Sequence, residues 1–210
     1  MVKLDHILWA APDLVEGARL FEQLTGVTPV HGGSHPGLGT VNRLVSLGVG
    51  SYLEIIAPDR QQTLSGTRGA VIAQLPGPGL MTFALSSNDL PGICAAARVA
   101  GLAIEGPVAM SRTRPDGVRL SWSILYLRGP RFGEAVPFVI DWGDSPHPSA
   151  TTPQGCRLKS FVVLQPDPEP LALVYRTLGL PFEVKRALRP GFLAELETPR
   201  GAVVLAAPGA

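Results

Sequence analysis

Cysteine is scarce in this 210-residue chain: only Cys94 and Cys156 occur. Two thiols cannot form a disulfide framework, and their separation has no metal-ligand spacing, so both read as small apolar residues of a reduced protein. Charge of one sign is also missing. The formal net charge is +1, which gives no electrostatic pull toward nucleic acid or an anionic membrane. The arginines that do gather (Arg112, Arg114, Arg119, then Arg128 and Arg131) are broken up by Pro, Gly and strand residues and read as a solvated or pocket-lining face. No run of about eighteen apolar residues exists to cross a membrane, and Met1-Val2-Lys3-Leu4-Asp5-His6 has no apolar signal-peptide core. A cytoplasmic protein is expected. A G-x-S-x-G elbow is absent too, which leaves covalent hydrolysis without support.

What is present is a repeat. Asp13, Asp89 and Asp167 stand at near-equal spacing, each after a strand-like run and before a helical one. The first unit opens with the strand Leu4–Ala10. Asp13 then caps a helix, with Glu16 placed to reach back as in a capping box, and Leu14, Ala18, Phe21 and Leu24 form its buried stripe up to Gly26. Strands follow around Val27–Val30, Thr40–Leu47 and Ser51–Ile56. Residues 59–78 lack periodicity and read as a connector.

The second unit runs from Leu80 to about 145. After a Pro- and Gly-rich hinge (143–155), a third runs from Cys156 to the end, and Val204–Pro208 echoes Glu54–Pro58. The expected fold class is α+β, three β-α-β-β-β units. Units 1–58 and 79–145 pair into one domain whose curved antiparallel sheets form a cup. Unit 156–210 packs on it or faces a second subunit, which would make a homodimer. A cup mouth of this kind suits a small-molecule ligand.

Only the first unit carries both a His on its first strand and an acid on its last. If those strands are neighbours, His6 and Glu54 project into the same cup. They could ligate a divalent metal, act as an acid–base pair, or simply satisfy each other in the core. The loop Gly32–Gly39 lacks the GK[ST] ending of a phosphate loop, so its glycines serve turns and close approach. His35, Asn42 and Arg43 are candidates for the pocket rim. Trp122 and Trp142 are candidates for core packing or for lining an apolar substrate.

Leu4-Asp5-His6-Ile7, Tyr52-Leu53-Glu54-Ile55-Ile56 and the order of the units resemble the vicinal oxygen chelate superfamily, and within it the glyoxalase-like domain proteins. The similarity continues through His35–Asn42, Arg114-Pro115-Asp116-Gly117, Leu120-Ser121-Trp122, Ile140-Asp141-Trp142 and His147-Pro148. The resemblance implies a divalent metal (Mn, Fe, Co, Ni or Zn) on His6 and Glu54, with Glu54 also catalytic, and a lyase, isomerase or dioxygenase acting on a small oxygenated molecule. Thr82 and Ser160 occupy the repeat positions of His6. Overlaying Ile140-Asp141-Trp142 on Leu53-Glu54-Ile55 offers Asp141 as the third ligand. The alternative that the resemblance allows is metal-independent binding and sequestration of a small molecule, as in the bleomycin-resistance members.

Overall fold

In a computed structural model, residues 2–113 and 117–209 are described; most of the Arg114–Gly117 motif therefore lies outside them. Each unit follows the expected order. The first comprises β1 (Lys3–Ala10), α1 (Leu14–Thr25), β2 (Val30–His35), β3 (Thr40–Ser46) and β4 (Tyr52–Pro58). After a short helix α2 (Arg68–Ile72), the second comprises β5 (Gly79–Ser86), α3 (Leu90–Val99), β6 (Ala103–Thr113), β7 (Arg119–Arg128) and β8 (Phe138–Asp141). The third comprises β9 (Arg157–Gln165), α4 (Pro168–Thr177), β10 (Glu183–Arg186), β11 (Gly191–Thr198) and β12 (Gly201–Ala206).

The three aspartates have different uses. Asp13 accepts from the N–H groups of Val15 and Glu16, and Asp89 accepts from Gly92, so both cap orphan helical donors. Asp167 makes no such bond. Its carboxylate instead pairs with Arg131 at 3.1 Å. Glu16 does not close the expected capping box, because its side chain takes Arg19 one turn on at 2.8 Å.

The first two units share one eight-stranded sheet in the order β2-β3-β4-β1-β5-β8-β7-β6. β1 and β5 pair antiparallel at its centre, while β1–β4 and β5–β8 are parallel. The sheet curls until its two edges approach, and the Arg112 guanidinium on β6 donates to the carbonyl of Gly32 on β2. The glycine-rich segment is therefore strand, with its turn confined to residues 36–39. Its glycines do permit close approach: a Cβ on Gly32 would meet the Asn42 side chain. The connector is more ordered than its sequence suggests. Gly69 N–H donates to Leu38 O at 3.0 Å and Asp59 N–H to Gly39 O at 2.8 Å, which tie α2 and its approach to the β2–β3 turn.

Alternation along the strands separates two faces. Ile7, Trp9, Leu53, Ile55, Phe83 and Leu85 point to the convex side and join the main core with α1 and α3. The third unit's four-stranded sheet, order β10-β9-β11-β12, packs on this same side. Phe83 sits among Phe161, Phe182, Phe192 and Tyr175 with ring centroids 5.1–6.3 Å apart, and the Tyr175 hydroxyl donates to Ala135 O at 2.6 Å. Cys156 is buried in this core, whereas Cys94 on α3 is half-buried. Among the described residues no helix is long and apolar enough to cross a membrane.

Candidate functional site

The concave face encloses a cavity of about 720 Å³. His6 on β1 and Glu54 on β4 meet on its floor, because the parallel register sets Glu54 beside Leu8, one cup-facing position from His6. His6 Nε2 lies 3.2 Å from Glu54 Oε2. That distance makes an ion pair, but the two are not aligned as a hydrogen bond, so Nε2 is a buried nitrogen without an aligned acceptor. The Tyr52 ring stacks on the imidazole at 4.5 Å and Phe138 meets it edge-on at 5.6 Å.

The other face of the imidazole is held by a residue that strand alternation hides. Asp5 precedes His6 and would normally point away from the cup. The β1–β5 ladder has an irregularity between Leu4 and His6, where two steps on β1 oppose one on β5, and Asp5 is the extra residue. Its fully buried carboxylate bonds His6 Nδ1 at 2.7 Å through Oδ1. Oδ2 accepts from Trp142 Nε1 at 2.8 Å and faces His147 Nε2 at 3.2 Å. The backbone N–H of Ser149 donates to His147 Nδ1 at 3.2 Å, so in the neutral ring the proton sits on Nε2 and points at Asp5. His147, which stands in a Pro-rich turn segment, is part of the site. The segment carrying it is tied to the first unit by Gly50 N–H to Ser149 Oγ (3.1 Å) and Ser46 N–H to Pro153 O (2.9 Å).

Glu54 is held from a second direction. Asn42 Nδ2 donates to Glu54 Oε1 at 2.6 Å and lies 3.3 Å from His35 Nε2, while His35 Nδ1 is 2.9 Å from Thr40 Oγ1. With Nε2 accepting, His35 donates from Nδ1. Burial lowers its pKa, and Arg112 and His6 push the same way. For His6, burial opposes the charge, but the hydrogen bond to Asp5 and the close negative charges of Asp5 and Glu54 outweigh it and raise its pKa to about 9. Burial likewise works against the Glu54 carboxylate, yet His6, His35 and Asn42 pull it down to about 2. Asp5 is held well below the usual carboxylate range despite its burial by bonds to His147 and His6. The floor is an imidazolium between two carboxylates.

His35, Asn42, Trp122 and Trp142 all line the cup, the two tryptophans 5.3 Å apart on one wall. Arg43 is not among the lining residues. It follows Asn42 on β3, turns to the opposite face, and points its Nη1 toward Pro29 O at 3.5 Å. Asp141 is likewise separate from His6 and Glu54. Its Oδ1 accepts from Gly143 N–H at 3.0 Å, and it borders a shallow surface depression with Ser121 and Arg119.

The ladder explains why. The central pairs His6↔Ala84 and Leu8↔Thr82 are related by the approximate two-fold of the units, so Thr82 is the counterpart of His6. Ala84, the counterpart of Leu8, pairs with Phe138, which therefore stands where Glu54 stands in the first unit. The residue-by-residue overlay that offered Asp141 is out of register by three. Among the described residues no group of three or more His, Cys, Asp and Glu is disposed to hold a metal ion. A divalent ion bound by side chains ordinarily takes three or four, and the second unit supplies a threonine and a phenylalanine. The donor set therefore does not fit a complete metal site.

A repeated β-α-β-β-β cup with a polar floor on its central strands defines the class: the sequence profile of the glyoxalase-like domain family matches residues 4–179, and the chain belongs to that family, within the vicinal oxygen chelate superfamily. A hypothetical protein of Staphylococcus aureus superposes with a TM-score of 0.70 at 16% identity, over 99% of this chain and 86% of the other. The methylmalonyl-CoA epimerase of Mycobacterium tuberculosis gives 0.51 at 19% identity over 70% of this chain and 91% of its own. That of Streptomyces coelicolor, solved with 2-nitronate-propionyl-CoA, gives 0.50 at 18% identity over 70% and 98%. At such identities the likeness is one of fold. No curated protein matches the sequence.

Proposed function

We propose that the cup binds a small oxygenated molecule and that His6 and Glu54 transfer a proton on it without a metal. The observation that carries this reading is the buried His6 Nε2, charged and without an aligned acceptor, beside the Glu54 carboxylate on the cavity floor. A divalent cation in such a fold would supply positive charge to a substrate oxygen; here the imidazolium, charged by Asp5 and Glu54, offers that charge.

A carbonyl oxygen accepting from Nε2 would draw His6 away from Glu54. The carboxylate would then lose the partner that most lowers its pKa, and burial would make it more basic. Glu54 could take a proton from the carbon next to the carbonyl. The C–H electron pair becomes the enolate double bond, the carbonyl pair moves to oxygen, and His6 stabilises that oxyanion. Return of the proton to carbon completes an isomerisation or exchange.

One observation favours the rival reading of a binding and sequestration protein: at rest Glu54 is a weak base, held down to about 2. The two are separated by NMR of 2-acetylnaphthalene in D2O with chelator-treated protein. Enzyme-dependent deuteration of the methyl group, lost in Glu54→Gln, is expected. Binding without exchange supports sequestration, and exchange that requires added Mn, Ni or Zn contradicts the metal-free step.

A further inference from the structure

The charged residues around the cavity carry information about what can enter it. Three acids and three arginines line it among the described residues: Glu54, Glu105 and Glu134 against Arg68, Arg112 and Arg128. Arg68 grips Glu134 through both nitrogens at 2.6 and 2.8 Å, and Arg128 holds Glu105 at 3.1 Å while covering the Tyr126 ring at 4.8 Å. The Arg112 guanidinium donates to the Gly32 carbonyl, where it closes the two edges of the sheet. On the floor one imidazole is shared by two carboxylates, Asp5 behind it and Glu54 beside it.

An anionic head group reaching this floor would approach Glu54 directly. It would also lose its hydration among the tryptophans and Phe138. The first turn of α2 lines the cavity through Thr67 and Arg68, but the Arg68 charge is taken by Glu134. An uncharged oxygen meets neither obstacle, and on the floor it finds His6 Nε2, buried beside Glu54 and without an aligned acceptor.

We infer that the cup selects an uncharged, largely apolar carbonyl compound, ideally with an aromatic body against Trp122 and Trp142, whose oxygen accepts from His6 Nε2, and that it rejects carboxylates of the same shape. This rests on the reading of His6 and Glu54 as the working pair, but it concerns binding rather than turnover. Titration calorimetry with two matched probes separates them: 2-acetylnaphthalene, a neutral ketone, and 2-naphthoate, its carboxylate analogue. The ketone is expected to bind at least about tenfold more tightly, since the carboxylate must shed its hydration beside a like charge. Glu54→Gln removes that repulsion and should narrow the gap by strengthening naphthoate binding, with thermal melting used to confirm that the variant is folded. Equal or tighter binding of naphthoate to the unmodified protein, or binding of neither probe, overturns the inference. Ketone selectivity without deuterium exchange upholds it and removes only the proton-transfer reading.

Discussion

The buried imidazolium should write itself into the pH dependence of stability. His6 is raised from 6.5 to about 9 in the fold. A group whose folded pKa is raised contributes stability fully below its unfolded pKa and loses it as pH climbs through the folded one. At 1.36 kcal/mol per pKa unit, the shift corresponds to about 3 kcal/mol, present below pH 6.5 and gone above about 9. Glu54 has the opposite sign. It is lowered from 4.5 to about 2, so its contribution is present above pH 4.5 and disappears as pH falls toward 2. The two limbs are largely one interaction seen from its two partners and are not to be added.

His35 is lowered, so it disfavours the fold only below about 6.5, where the unfolded chain takes up its proton. Between pH 6.5 and about 9 the falling limb therefore belongs to His6; above that, Cys156 and the buried tyrosines, raised by burial, add to it. Urea denaturation between pH 6 and 10 should show the unfolding free energy falling by about 3 kcal/mol, or a melting temperature lower by roughly 10 °C for a chain of this length. His6→Gln, less stable below about pH 9 because Asp5 and Glu54 then face each other without a cation, should lose that slope. A flat profile in the unmodified protein, or an unchanged slope in His6→Gln, refutes the reasoning.

Two further outcomes concern the frame of the cup. Phe83→Ala removes a fully buried ring that contacts four aromatic side chains of the third unit and should cost about 3–5 kcal/mol in urea denaturation; a loss below about 1 kcal/mol would mean that the third sheet does not depend on it. Gly69→Ala places a methyl 1.9 Å from the Gly39 carbonyl oxygen, so α2 must shift off the β2–β3 turn, with a cost of about 1–3 kcal/mol. Melting of this variant at the temperature of the unmodified protein would show that the tie is dispensable.

The repeat was readable because each unit renews the same sequence of strand, aspartate, helix and strands, and because alternation put His6 and Glu54 on one face. Alternation is also why Asp5 was not seen: only the extra residue in the β1–β5 ladder lets neighbours in sequence act on one imidazole. His147 was hidden for another reason. Its partner Asp5 is 142 residues away, and a short Pro-rich turn gives no sign of where it docks. Arg43 was placed at the rim by its neighbours Asn42 and His35, although the period of two puts it on the other side of the sheet. Asp141 looked like Glu54 by local motif, and only the register of β5 with β8 reveals Phe138 in that place. The sequence motifs likewise say little of the third unit, whose aromatic face becomes legible as a partner of Phe83 only when the sheets are assembled.

The charge state of His6 in metal-free protein is the most direct test of the account. Nitrogen NMR of selectively ¹⁵N-histidine-labelled protein, assigned with His6→Gln, reads protonation of each ring nitrogen. With Asp5 on Nδ1 and Glu54 beside Nε2, both His6 nitrogens should carry protons at pH 7.5 and titrate near 9. A neutral His6 at pH 7.5, with one bare ring nitrogen, would contradict it.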